Sequence, residues 1–321
     1  MSAVVWDTIR TMTVNRSKLM VRFDSILAVW GNMMTEAVFV DRKFRIDNAL
    51  DDERIQWITY WTMCFTTQYM DLHMALLIEM NLLSMDELAY FYWYWDYINS
   101  SRCWTLDRMN TLRYELSMIY YMDDMKTGND KKKKIEKPVP IEPDIELLMI
   151  QGKGNLCKGL FRLFIAMNDI GVVQQRDSRY TTPGFRFLQR FRAFQNICNP
   201  PLLQYSEYVK TIEAGKEHSE DIDIFKVISN ANKCFGITKL IMDKIRQSPT
   251  SEEKNTIDEI LRKSIMPLTK VAIASNVNTI RMEQLLKTMK NGNSKVDPLS
   301  LNFSLDRSHY HHYPIVEIKK K

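Results

Sequence analysis

Residues 88 to 98 read LAYFYWYWDYI, with six aromatic side chains in unbroken succession from Tyr90 to Trp95 and Tyr97 just beyond. The preceding Ser84-Met85-Asp86-Glu87 has the form of a capping box. In such a box the Ser84 hydroxyl accepts from the amide three residues on, and Glu87 reaches back to the Ser84 amide. Aromatic residues also favour strands, but the box argues for a helix that opens at the aromatic run. At about 100° per residue, six consecutive positions cover the whole circumference of a helix. A helix that is apolar all round is normally buried on every side. The run is therefore expected to be the buried centre of a helical assembly, with Trp93 and Trp95 largely enclosed. Tyr92, Trp93 and Trp95 are candidates for packing between helices or against a partner. Base stacking fits less well, because no arginine interleaves the rings.

The rest of the first 125 residues agrees with a helical reading. Gly31 is the sole glycine there and proline is absent, so nothing forces a break. A helix is predicted to start after Asp51 and Asp52, whose charges suit the positive end of the dipole. It carries Ile55, Ile58, Trp61, Phe65, Leu72, Leu76 and Ile78 at roughly helical spacing. Five of the seven tryptophans lie between Trp57 and Trp104, so these two helices are expected to pack on each other and on a third surface.

From Met125 to Pro143 the character changes. MKTGNDKKKKIEKPVPIEP combines Lys131, Lys132, Lys133 and Lys134 with three prolines and reads as a solvated, partly extended linker. The sequence thus divides into an aromatic-rich helical region (1–125), a basic and proline-rich linker (126–143) and a C-terminal helical region with an extended tail (144–321). In the last, LCKGLFRLFIAMNDIG predicts an amphipathic helix stopped at Gly171, well suited to the left-handed C′ position. In RFLQRFRAFQNICNPP, Phe187, Phe191, Phe194 and Ile197 share one face until Pro200-Pro201. Helices are further predicted over 222–247, 250–275 and 279–289, with Pro267 kinking or splitting the second. The terminal PIVEI suits an edge strand or a groove. No internal repeat at a fixed period is evident, although the C-terminal helices loosely resemble helical-repeat pairs. The fold class is mainly α: an irregular multi-helix scaffold with a flexible basic linker and an extended C-terminal tail.

The charge balance narrows the partners. The net charge is +5, and Lys131–Lys134 with Lys319–Lys321 more than account for it. The folded body is slightly acidic, unlike a duplex-binding face. Five scattered cysteines without a C-x-x-C spacing indicate neither a zinc ribbon nor a redox dithiol. No secretory signal is visible, and the stretch 55–70 is too short and too polar to span a membrane. A cytoplasmic chain that does not enter the membrane is expected. The lysine run could contact phosphates of RNA or the ribosome, or act as an import signal.

Two short patterns suggest chemistry. IQGKGNL, 150–156, approaches the Q/R-x-x-G-x-G/A loop with which GNAT acetyltransferases cradle acetyl-CoA at a helix N-terminus. Leu156 stands where a small residue is needed, and the strands that should precede the loop are missing. The plainer reading is a flexible entry to a helix. His309 and His311 would share a face of an extended segment and could hold a metal, but no nearby Cys or carboxylate completes a ligand set. No catalytic residue, cofactor site or metal site is assigned.

Taken in order, LLSMDELAYFYWYWDYI, KKKKIEKPVP, GNLCKGLFRLFIAMNDIG, RFLQRFRAFQNICNPP and FSLDRSHYHHYPIV resemble landmarks of the large auxiliary subunits of the NatC N-terminal acetyltransferase complex. The resemblance is to the C-terminal half of that family. In its R-[YF]-x-x-R-F-x-x-F-x-x-[IV]-x-x-P-P pattern, Arg186, Arg190, Phe191, Phe194, Pro200 and Pro201 are in place, which adds Arg190, Phe191 and Phe194 to the candidates for partner or inter-helix packing. The resemblance implies a non-catalytic scaffold that binds a GNAT-type catalytic subunit and a small Sm-like subunit. It also implies acetylation, at the ribosome, of nascent chains beginning with Met and a bulky apolar residue. A helical RNA- or ribosome-binding module using the lysine run is the competing reading.

Overall fold

The structure is a computed structural model that describes residues 16–48, 56–127, 145–173, 182–197, 199–214, 223–248, 256–290 and 301–320. Asp51 and Asp52, most of the basic linker with Lys131–Lys134, and Cys198 lie outside the described residues. Eight helices and one hairpin are described: α1 (Arg16–Asp47), α2 (Trp57–Glu79), α3 (Leu88–Thr127), α4 (Ile145–Ile170), α5 (Pro183–Arg190), α6 (Tyr205–Ala214), α7 (Ile224–Gln247), α8 (Thr256–Lys290), β1 (Leu301–Asp306) and β2 (Ile315–Lys320). Short 3-10 turns precede α3 at Met85–Glu87 and follow α5 at Arg192–Asn196.

The long helices pack in the order α1–α2–α3–α4–α7–α8, each antiparallel to the next. Contacts that run in opposite directions along the chain show this. Tyr60 meets Trp104 and Asp71 meets Trp95 between α2 and α3. Tyr92 meets Phe164 and Asn99 meets Cys157 between α3 and α4. One contiguous core runs from Leu27 on α1 to Val316 on β2. A smaller cluster of Tyr60, Cys64, Leu106, Met109, Leu112, Leu147 and Ile150 fills the seam between α2, α3 and α4.

Helix ends are set by local chemistry. The left-handed Gly171 (φ 80°) closes α4 in a Schellman motif: the Val172 amide donates to Met167 O and the Gly171 amide to Asn168 O, both at 3.1 Å. Asn81 (φ 52°) closes α2 in the same way, with Leu82 donating to Leu77 O at 3.0 Å. The start of α2 is capped from another helix. Asp41 of α1, 4% exposed, accepts from the Ile58 amide at 3.1 Å, the Thr59 amide at 2.7 Å and the Thr59 hydroxyl at 2.6 Å. A side chain seventeen residues upstream thus supplies the N-cap that Gln56 does not.

Two expectations are corrected. Residues 150–156 are not a loop entry, because Gly152 and Gly154 lie inside α4. A Cβ on Gly159 would meet the Phe235 ring at 2.5 Å, and one on Gly152 would meet Met242 Cε at 2.2 Å. These glycines let α7 approach α4, and the Thr238 hydroxyl donates to Gly152 O at 3.2 Å across that contact. Pro267 does not split its helix, nor does α8 break between 275 and 279. Ser275 and Thr279 are buried in the seam with α7, where Asn276 bonds Asn232. The polar run that reads as a gap is a continuous helix face, on which Asn276 reaches α7 and the Thr279 hydroxyl donates to Ser275 O within α8. PIVEI, by contrast, forms an edge strand as its sequence suits. It pairs antiparallel with Leu301–Asp306, Leu301 opposite Lys320 and Asp306 opposite Ile315, and β2 packs on α8.

Candidate interaction site: the aromatic hub and its pins

The capping box does more than start α3. The Ser84 amide donates to Glu87 Oε2 at 2.7 Å, and the Glu87 carboxylate is 1% exposed. Arg190 at the end of α5 donates to it twice, from Nε to Oε1 and from the terminal guanidinium nitrogen to Oε2, each at 3.1 Å. Tyr90 adds a hydroxyl at 2.7 Å. Asp86 next to it pairs with Arg186 at 2.7 Å. The two arginines of RFLQRF and the two acids of SMDE, about a hundred residues apart, therefore form one pin between α3 and α5. Burial pushes the Glu87 carboxyl up. The hydrogen bonds from Arg190, the Ser84 amide and Tyr90 outweigh that and hold it below the usual glutamate range. On the far side of the pin, His73 of α2 binds Arg190 O through Nε2 at 3.0 Å and lies edge-on to Phe194. Burial pushes its pKa down to about 4.

Around this pin the six rings of the run spread toward several neighbouring elements. Tyr90 points at Phe187, Phe191, Tyr205 and Tyr208 of the α5–α6 segment. Phe91 is fully buried against Trp95. Tyr92 stacks on Phe164 of α4 at 5.8 Å and donates its hydroxyl to His312 O at 2.7 Å. Trp93, half-buried, meets Tyr208 of α6 edge-on. Tyr94 stacks on Phe191 at 4.3 Å and packs against Phe194. Trp95, 2% exposed, stacks on Tyr313 of the hairpin turn and donates its indole N–H to Asp71 of α2 at 2.6 Å. Phe191 and Phe194 are themselves buried. A full circle of rings thus joins α2, α4, α5, α6 and the hairpin to one helix.

Beside the hub, Asp96 faces α4 with Lys158 at 3.7 Å. Burial raises its pKa to about 6, and Lys158 and Arg162 offset only part of that. His311 and His312 converge on Glu79, the latter at 2.9 Å. Among the described residues there is no group of three or more His, Cys, Asp or Glu able to hold a metal ion, and no helix is long and apolar enough to cross a membrane.

Large apolar side chains also remain outside. Trp61 and Trp104 are 41% and 51% exposed, at the α2–α3 ridge where Trp57, Trp61 and Phe65 form a ladder of rings. On α1, Leu27, Gly31, Met34, Ala37 and Asp41 face inward, while Ile26, Val29, Met33, Val40 and Phe44 form an exposed stripe. On α8, Met266, Ile273, Val277 and Ile280 form another, opposite the core-facing side. Contiguous exposed apolar faces are candidate interaction sites.

Sequence reasoning missed Asp41, Asp71 and Glu87 as organising groups. Glu87 was legible as a cap, but nothing local shows that its second partner is Arg190. Asp41 and Asp71 are single acids on otherwise ordinary helix faces, and their partners become visible only when helices are paired.

Antiparallel helices stacked in chain order around an aromatic axis, with apolar faces left at both ends, define a helical-repeat interaction scaffold. The chain belongs to the family described as NAA35-like, TPR repeats, which matches residues 1–316. It is 22% identical over 308 residues to the N-alpha-acetyltransferase 35 NatC auxiliary subunit of Gallus gallus, covering 95% of this chain and 39% of that protein. To the Homo sapiens protein of the same description it is 22% identical over 235 residues, 72% of this chain and 32% of that protein. The chain therefore spans well under half the length of these relatives. Among solved structures, the NatC complex bound to Gag peptide and CoA contains a chain that superposes with a TM-score of 0.71 at 15% identity, covering 96% of this chain and 45% of that one. A chain of the apo NatC complex matches with the same TM-score at 13% identity. These matches establish the shared fold.

Proposed function

We propose that the chain serves as a non-catalytic auxiliary scaffold of a NatC-type N-terminal acetyltransferase. In this reading it holds a GNAT-type catalytic subunit and a small Sm-like subunit, and the assembly modifies nascent chains that begin with Met followed by a bulky apolar residue. Family membership over 316 residues is the observation that carries it. The hub gives such a scaffold a rigid centre. The apolar ridge at Trp61 and Trp104 and the stripes on α1 and α8 supply surface that partners would bury, since aromatic anchors dominate interface energetics. Gly152 and Gly154 inside α4 also fit a chain that leaves acetyl-CoA to its partner, because mid-helix amides are already committed to the helix and cannot cradle a pyrophosphate. The test is an acetylation assay on peptides beginning Met-Leu. The catalytic subunit is assayed alone, with this chain, and with Trp61→Ala/Trp104→Ala. The scaffold reading expects activity or stability of the catalytic subunit to rise with the chain and to fall with the double variant. Turnover by the chain alone would overturn it.

The lysine run adds a second element, contact with the ribosome in the cytoplasm. Lys131–Lys134 lie outside the described residues and follow one another in the sequence between two helical regions. Phosphate contacts of this kind are sequence-independent and weaken steeply with salt. Replacing the four lysines by alanine is expected to weaken co-sedimentation with ribosomes and to flatten its salt dependence; unchanged co-sedimentation would remove this element and leave the scaffold reading standing.

A further inference from the structure

The turn after α2, the first turn of α3, α5 and the β1–β2 turn enclose a cleft of about 490 Å³, within the size range of pockets that take side chains or small ligands. Its apolar surface comes from Leu82, Met85 and Leu88, and its cationic wall from Arg186, Arg190 and Arg307. The charges do not balance. Asp86 is spent on Arg186 at 2.7 Å and Glu87 on Arg190 at 3.1 Å, both acids almost fully buried. Arg307 lines the same cleft, half-buried, and no carboxylate lies within ion-pair distance of it among the described residues. A second donor is also unused: Arg186 Nε is buried without a hydrogen-bond acceptor in the structure. A guanidinium that lines a cleft without an anion keeps its fork of donors available for a charge-assisted bond to a carboxylate.

We infer that this cleft receives an Asp or Glu side chain, with an adjoining apolar residue, from an extended segment of a partner subunit. The inference rests on the scaffold reading and assigns one of its contacts. The carboxylate would sit against the Arg307 guanidinium, whose planar fork binds carboxylates in bidentate fashion, and the apolar neighbour would lie on Leu82 and Met85. Met85 is 40% exposed and so stands ready to be covered. A nucleic-acid backbone fits less well, because it needs a row of free cations, whereas here two of the three arginines are already neutralised.

The test uses the chain co-expressed with the GNAT-type catalytic subunit and the small subunit. A photo-cross-linking p-benzoylphenylalanine replaces Met85, and mass spectrometry locates what it captures. In parallel, the dissociation constant of the assembly is measured for the wild type, Arg307→Lys and Arg307→Glu, each first checked for an unchanged melting temperature. The expected results are capture of a partner segment containing an acidic residue, and a loss of roughly tenfold or more in affinity for Arg307→Glu. Arg307→Lys should lose less, because it keeps the charge without the fork. Affinity within about twofold of wild type for Arg307→Glu, or capture of RNA, of a second copy or of a segment of this chain itself, would overturn the inference while leaving the scaffold reading intact. A wild-type chain that binds neither subunit would overturn both.

Discussion

At the scale of single residues, the structure concentrates its polar energy in a few buried groups with opposite balances. Glu87 is fully satisfied: two arginine contacts, one amide and a tyrosine hydroxyl surround it. Removing one member of such a set leaves an uncompensated buried charge, which costs more than the pair itself contributes. Arg190→Ala is therefore expected to destabilise the fold by about 3 kcal/mol. The double variant Arg190→Met/Glu87→Gln should cost clearly less than the sum of the two single changes, as read by denaturant unfolding. Asp96 has the reverse balance. Its folded pKa is raised from an ordinary 3.8 to about 6, so the native state holds a proton that the unfolded chain has already lost. Its contribution to stability is thus lost as pH rises from about 4 to 6 and stays lost at neutral pH. Asp96→Asn should raise Tm at pH 7, with the gain shrinking as pH falls from about 6 to about 4. His73 titrates across an overlapping window with the opposite slope, because its folded pKa is depressed to about 4 and stability falls as pH drops from 6.5. The Asp96 effect must accordingly be read as the difference between variant and wild type, not from the wild-type profile alone.

At the scale of elements, two glycines of α4 make a controlled comparison. Alanine is worth about 1 kcal/mol more than glycine inside a helix, so either Gly→Ala change gains in propensity. At Gly152 the obstacle is the terminal methyl of Met242, the far end of a flexible side chain that can turn aside. At Gly159 it is the Phe235 ring, met at three atoms within 3.0 Å and fully buried. Overpacking a rigid ring costs about 1–3 kcal/mol, which exceeds the propensity gain. Gly152→Ala should be neutral or stabilising in thermal melts, and Gly159→Ala destabilising. The same elements explain what the sequence could and could not reveal. The capping box and the rings of Tyr90–Trp95 disclosed a buried helix because both signals are local and helical geometry alone converts them into a prediction. Gly171 disclosed its helix end for the same reason. Gly152, Gly154 and the Ser275–Thr279 run were misread as breaks because they meet partner helices, Gly152 facing α7 and Gly154 facing Asn99 and Asp96 of α3, and a partner helix is invisible in a local pattern. Arg186 and Arg190 were legible as a motif, but their acids lie about a hundred residues earlier.

At the scale of the whole molecule, repetition survives in architecture and not in period. Successive long helices of 32, 23, 40, 26, 24 and 35 residues stack antiparallel, yet lengths so unequal leave no fixed repeat to find. What unifies them is the ring-bearing start of α3, which reaches α2, α4, α5, α6 and the hairpin at once. A scaffold built this way presents outer faces with exposed apolar residues on α1, the α2–α3 ridge and α8. The molar mass of the co-expressed assembly, measured by light scattering during size-exclusion chromatography, tests this most directly. The account predicts that the chain elutes with a GNAT-type catalytic subunit in a complex of fixed stoichiometry; a chain that elutes alone as a folded monomer, with the catalytic subunit separate, would contradict it.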